Sequence, residues 1–244
     1  MAPKLVPVND KRPALHHSGK RDPSQIRWVV LHSTEGGPNA AGAVSWFQNE
    51  ECQGSTHLVV GMDGAFRCLP DDVEPWAAPG ANLEGLHIEF AGNAHWHPGE
   101  WSKFGKTFDE AAALVAEWCY HYDIPAEFLD ASKLHDPASK GVTTHAEVTE
   151  AFKKGDHWDP GKGFPMDSFL ASVAKCLADY PAKPEPTPEP EPVHSTEPAP
   201  AAEVVGEAPA VEEAVPATLA PAEVAAVAGE TLAAEAATPV DAKA

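Results

Sequence analysis

Apolar positions along the chain repeat with two different periods. Residues 26–32 (IRWVVLH) form a short, β-branched apolar run that predicts a buried strand. Residues 86–90 (LHIEF) alternate instead. Leu86, Ile88 and Phe90 share one face while His87 and Glu89 lie on the other, which predicts a strand with a polar face. Segments 56–60 and 65–69 flank Met62-Asp63-Gly64, where Asp-Gly marks a hairpin turn. Helical spacing predicts a helix over the Ala-rich residues 39–47 and a long one over 108–122. On the latter, Phe108, Ala111, Val115, Trp118 and Tyr122 fall on one stripe, Thr107 and Glu110 form a capping box, and Pro125 follows as a stop. A last helix is predicted over 167–178, after an irregular stretch. Strands mixed with helices in one domain, with no internal repeat, predict an α/β class.

Composition divides this picture in two. From residue 181 onward the chain holds 12 of its 25 prolines, 12 acidic residues, two lysines and no aromatic residue. So little bulky apolar material cannot offset the entropy lost on folding, and the tail is predicted to be disordered. Its opening PEPTPEPEP favours extended polyproline II. The folded unit is expected over about residues 1–180, with an N-terminal extension at 1–25 and the catalytic domain at 26–180. The net charge of −20 splits evenly between residues 1–180 and the tail. An acidic body argues against nucleic acid as a partner, since phosphate binding needs clustered Lys and Arg. The four cysteines are scattered without a CxxC pair and read as buried or idle thiols. The first residues, MAPKLVPVNDKRP, contain no apolar stretch, and no run approaches the ~18–20 residues of a membrane span. Synthesis in a cytoplasm without an export signal, and no membrane insertion, are therefore expected.

Three segments carry candidate chemistry. His32 ends an apolar strand and opens into Ser33-Thr34-Glu35-Gly36-Gly37, the kind of strand end where α/β folds place reactive groups. Taken alone it suits a structural histidine as well as a ligand. Glu89 is an acid inside an apolar strand, which must be paired, near a metal, or shifted in pKa; a salt bridge or a solvent-facing edge would also satisfy it. The third segment joins Thr144-His145-Ala146-Glu147 to Asp156-His157-Trp158-Asp159-Pro160-Gly161. His and Asp are good zinc ligands, but Asp159-Pro160-Gly161 also suits a simple turn.

The order of motifs is more specific than any one of them. His-Ser-Thr follows the first strand, Ser-Thr-His-Leu-Val-Val precedes the Asp-Gly turn, and Pro-Trp-Ala-Ala-Pro-Gly-Ala-Asn leads into Gly-Leu-His-Ile-Glu. His-Ala-Glu-Val then precedes Asp-Pro-Gly-x-x-Phe-Pro. Over residues 26–170 this series resembles the type 2 N-acetylmuramoyl-L-alanine amidases, the superfamily of the peptidoglycan recognition proteins, in a variant found in actinobacteriophage endolysins. The resemblance implies a single domain with a central mixed β-sheet flanked by helices, and Zn2+ held by His32, His145 and Asp159. It implies catalytic roles for Glu89 and His157, and Trp76, Asn82 and His57 as substrate-binding residues. The implied reaction is hydrolysis of the amide between N-acetylmuramic acid and L-alanine of peptidoglycan. A monomeric endolysin, made in the host cytoplasm and reaching the wall once the membrane is permeabilised, is the expected context. A cytosolic enzyme recycling wall fragments and a non-catalytic peptidoglycan-binding module are the competing readings. Three departures stand out. Trp76-Ala77-Ala78 replaces Trp-His-Ala, Thr56 occupies the place of a tyrosine that assists catalysis in some branches, and residues 146–158 form a longer insert than many relatives carry.

Overall fold

A computed structural model describes residue 3 and residues 6–183; the tail read as disordered lies outside the described residues from position 184. In chain order the elements are β1 (Val8–Asn9), β2 (His17–Lys20), β3 (Trp28–Ser33), α1 (Ala40–Trp46), β4 (Leu58–Gly61) and β5 (Gly64–Arg67). There follow β6 (Val73–Pro75), β7 (Gly85–Phe90), α2 (Pro98–Trp101), α3 (Gly105–Tyr122), β8 (Gly141–Thr144), α4 (His145–Phe152) and α5 (Met166–Leu177). Six strands form one sheet in the order β1-β5-β4-β7-β3-β8. The β4–β5 hairpin is antiparallel and every other pairing in this sheet is parallel, so the sheet is mixed, as expected. β2 and β6 make a separate antiparallel pair.

The uninterrupted apolar run of β3 follows from its place between β7 and β8, with both faces covered. All six of its residues are buried. Successive side chains alternate between faces. Val29 and Leu31 join Leu86, Ile88, Phe90 and Val142 in a core shared with α3 and α5, while Trp28 and Val30 pack with Val148 of α4 on the opposite face. Each such side chain stabilises the fold by about 1.5–3 kcal/mol on burial. Phe90 anchors an aromatic cluster, with ring centroids of Phe164, Phe169 and Phe108 at 5.0, 5.4 and 5.6 Å.

Several expectations change. The Thr107–Glu110 capping box does not form, because the chain is already helical when it reaches residue 107. α2 and a 3-10 turn (Ser102–Phe104) lead straight into α3, and the Thr107 hydroxyl donates instead to the Gly61 carbonyl at 3.3 Å. The stretch read as irregular contains β8 and α4. Within the N-terminal extension, β1 pairs with β5, β2 pairs with β6, and the Arg21 side chain is buried. Cys52, Cys68 and Cys119 are buried thiols. Among the described residues no helix is long and apolar enough to cross a membrane.

Candidate metal centre

Parallel register brings the first two candidate residues together. His32 of β3 pairs directly with Glu89 of β7, and one pleat below, Val30 lies between His87 and Thr143. The polar face foreseen for β7 is therefore the face on which the carboxyl ends of β3, β7 and β8 open, the usual place for a site in such sheets. β8 ends at Thr144, still in extended conformation, and its hydroxyl accepts a hydrogen bond from the Glu147 N–H at 3.2 Å. That N-cap starts α4 with His145 as its first residue. The helix stops at Lys153, which takes the left-handed conformation at φ 54°. The chain then turns back until the Asp159 carbonyl accepts from the Ala146 N–H at 3.0 Å. The long insert 146–158 is thus one helix and its return, and it closes rather than separates the pair His145 and Asp159. Gly161 makes the return possible. At φ 84° it lies so close to Ala94 that a Cβ would sit 1.9 Å from the Ala94 carbonyl oxygen.

The three expected ligands meet. His32 Nδ1 is 3.1 Å from His145 Nδ1 and 3.3 Å from Asp159 Oδ2, while His145 Nδ1 is 3.2 Å from Asp159 Oδ1. All three residues are buried, and among the described residues they form the cluster able to hold a metal ion. In a tetrahedral site with bonds of ~2.0–2.1 Å the ligand atoms lie about 3.3–3.4 Å apart, so this spacing fits zinc. Two nitrogens and a carboxylate oxygen also leave a fourth position open. The Ser33 N–H donates to Asp159 Oδ2 at 3.3 Å and steadies the carboxylate. His145 Nε2 is buried without a hydrogen-bond partner, which leaves Nδ1 as the working atom of that ring.

Protonation at Asp159 and His145 suits a ligand set. At His32, by contrast, burial is outweighed by the Asp159 hydrogen bond and the Glu89 charge, which raise its pKa, so metal binding there competes with a proton. Burial alone would raise the Asp159 carboxyl, but hydrogen bonds from His145, His157 and His32 hold it well below the usual range. Burial depresses His145 to about 4, keeping it neutral. An ionised carboxylate and a neutral imidazole are the forms that coordinate metals. Glu89 Oε1 stands 4.0 Å from His32 Nδ1, and Oε2 is buried without a partner. Burial, against the opposing pull of His32, pushes the Glu89 carboxyl up to about 7. His157 is half-exposed. Its ring stacks on His145 at 4.0 Å and 13°, and Nδ1 lies 3.5 Å from Asp159 Oδ1, a contact that raises its pKa.

A cleft of about 490 Å3 opens over these groups, with Glu89 and His157 in its lining. Trp76 lines it, its ring stacked on His16 at 5.3 Å and its Nε1–H donating to Ser18 Oγ at 3.0 Å. Asn82 does not line it. Its Oδ1 accepts from the Ala77 and Ala78 N–H groups at 3.1 and 2.7 Å, so it braces the loop that carries Trp76. His57 is a clear correction to the expected groove wall. It is fully buried beside His87, and its Nδ1 accepts from the His87 N–H. Thr56, also buried, donates to the His87 carbonyl at 3.0 Å. Trp46, Phe47 and Glu35 line the cleft and were not singled out from the sequence. Trp46 lies off the buried Ala40–Val44 stripe of α1 and is half-exposed, so the helical spacing itself marks it as a surface aromatic. Glu35 accepts from Ser33 Oγ at 2.6 Å and from the Ala94 N–H at 2.9 Å, tying the two loops at the cleft edge.

Residues 22–162 match the family model described as N-acetylmuramoyl-L-alanine amidase. The chain is 28% identical over 153 residues to N-acetylmuramoyl-L-alanine amidase A of Achromobacter lyticus, covering 60% of this chain and 82% of that protein. Among solved structures it is similar to the Staphylococcus aureus hydrolase AmiA, determined in complex with its ligand. The TM-score is 0.54 at 17% identity, over 72% of this chain and 83% of that one. PlyL gives a TM-score of 0.51 at 16% identity, over 72% of this chain and 99% of that one. At these identities the structural likeness speaks for the fold.

Proposed function

We propose that this chain, which belongs to the N-acetylmuramoyl-L-alanine amidase family, cleaves the amide between N-acetylmuramic acid and L-alanine of peptidoglycan with zinc held by His32, His145 and Asp159. The observation that carries the reading is the meeting of three donor atoms 3.1–3.3 Å apart, with Glu89 beside them on the floor of a cleft. A module that had lost its chemistry would not need this set intact.

An unactivated amide is attacked poorly by neutral water. Zinc held by His32, His145 and Asp159 would supply the Lewis acidity that activates a water near neutral pH and polarises the scissile carbonyl. Glu89, ionised, accepts the proton of the attacking water and delivers it to the departing L-alanine nitrogen as the C–N bond breaks. A group titrating near neutrality suits both halves of that task. His157, made more basic by Asp159, offers a positive charge or a ring N–H to the oxyanion of the tetrahedral intermediate. Its stacking on His145 sets the ring at the cleft wall.

Digestion of purified peptidoglycan with and without a chelator tests the reading. Stem peptides with free L-alanine amino termini are expected, lost on chelation and restored by zinc; new reducing sugar ends would overturn it. His157→Ala is expected to lose turnover and retain metal, and loss of zinc would instead make His157 a ligand. The finer reading, a lytic endolysin, is supported by the motif order. It predicts that cells expressing the chain lyse only when the inner membrane is permeabilised. A recycling enzyme would instead cut soluble muropeptides and spare intact sacculi.

A further inference from the structure

The ligand face of the sheet carries further imidazoles that the reaction leaves unused. His32 turns Nδ1 toward His145 and Asp159, and its other nitrogen, Nε2, lies 3.0 Å from Nδ1 of His87. His87 is fully buried, one pleat below Glu89. Its ring lies over Gly85, where a Cβ would come within 2.8 Å of His87 Nε2. The glycine of Gly85-Leu86-His87 is what leaves room for the ring. Behind it, the His87 backbone N–H donates to His57 Nδ1 at 3.0 Å. His57 Nε2 lies 3.1 Å from the Val73 carbonyl and 2.9 Å from Arg21 Nη2.

The positions of the protons follow from valence. A neutral His32 whose Nδ1 lone pair goes to a cation carries its proton on Nε2 and must donate it. The atom it meets is His87 Nδ1, which must then be bare. A neutral His87 has its proton on Nε2, an atom buried without a partner. An apolar side chain would fill that space without the penalty of a buried, unpaired N–H. His57 has its Nδ1 occupied as an acceptor, so its own proton sits on Nε2 and is donated to Val73. Arg21, held by the carbonyls of Asp71, Asn82, Leu83 and Gly85, places its cation against that ring and opposes a second proton there.

We infer that His87 is a positioning residue for the metal ligand His32, accepting its Nε2–H and so fixing the ring and its tautomer, with His57 and Arg21 holding His87 in place. The inference rests on the zinc reading above. An acceptor behind a ligand histidine orients it and raises its basicity. The other ligand histidine has no such acceptor among the described residues, since His145 Nε2 is without a partner.

Zinc affinity of the full chain, measured by competition with a chromophoric chelator, provides the first test. His87→Phe keeps an aromatic ring and removes the acceptor, and is expected to weaken zinc binding by about 10–100-fold. His87→Asn restores an acceptor oxygen close to the place of Nδ1 and is expected to recover most of the loss. A folded His87→Phe that binds zinc as tightly as wild type overturns the inference. Long-range 15N–1H spectra of the wild-type zinc form give a second test that needs no variant. Protons on Nε2 of both His32 and His87 are expected, and a proton on His87 Nδ1 overturns the inference. Wild-type protein that binds no zinc defeats the zinc reading itself, an outcome distinct from equal binding by the two forms.

Discussion

A carboxylate set among apolar strand residues takes its charge from its surroundings, and Glu89 shows this with a pKa of about 7. As a base it works only when ionised, so kcat/KM should fall as pH drops through the Glu89 pKa, which a zinc ion held beside it would lower from its metal-free position. Glu89→Gln should lower kcat by about 10²–10⁴-fold with zinc content unchanged by elemental analysis. The same shift has a stability consequence in the metal-free protein. The folded state keeps the proton up to about 7, whereas the unfolded chain releases it near 4.5. The folded state binds more protons in that window, so stability falls as pH rises from 4.5 to 7. Metal-free Glu89→Gln should escape that fall and exceed wild type by about 1–3 kcal/mol at pH 8 in urea titrations. Glu89 was legible in the sequence because an acid interrupts an apolar alternation. His57 was misjudged because a histidine beside a strand looks the same whether it faces a groove or the core. Only burial and its bonds to His87 and Val73 decide the matter.

At the scale of elements, one motif occurs twice with opposite outcomes. Thr107 and Glu110 satisfy the spacing of a capping box but lie inside a helix that has already begun. Thr144 and Glu147 satisfy the same spacing where a strand ends, and Thr144 does cap α4. The Glu147 carboxylate is drawn elsewhere and accepts from the Ala131 N–H at 2.7 Å, so only half of the box forms. Thr144→Ala should cost about 1 kcal/mol and weaken zinc binding, because the cap sets the direction of His145; Thr144→Ser should recover both. Thermal melts and chelator competition would show this. Gly161→Ala should be harsher, about 2 kcal/mol or more, since the new Cβ meets the Ala94 carbonyl in a backbone conformation already unfavourable for alanine. Its zinc affinity should fall with its melting temperature, because Asp159 sits two residues away.

For the molecule as a whole, the proposed ligands come from two distant stretches of chain, with His32 and His145 separated by 113 positions and Asp159 following on the return from α4. Zinc bound to the folded state alone must therefore stabilise the whole unit. Metal at 100 times its Kd should add about 2.7 kcal/mol, reversed by chelation and absent in His32→Ala. The N-terminal residues share in that unit, because Arg21 bonds to carbonyls on both sides of β6 and is buried deeply enough to lower its pKa to about 10. The motif series begins only at residue 26, and the polar residues before it say nothing by themselves of what they bridge.

What the sequence determined by itself was local in range or carried by motif order. Period and residue type located β3, β7, the β4–β5 hairpin and the long helix, and the series of motifs from His32 to Asp159 named the donors. Short polar elements such as β2, β6 and β8 left no period to read, since three or four residues cannot display one. The tertiary structure decided how far each named residue reaches. Sheet order made His32 and Glu89 register partners, the return of α4 set Asp159 against His145, and burial turned His57 away from the cleft and His87 toward His32. The physical reason is that propensity and periodicity act over a few residues. Contacts between distant segments are settled by how strands order and which faces can be buried together.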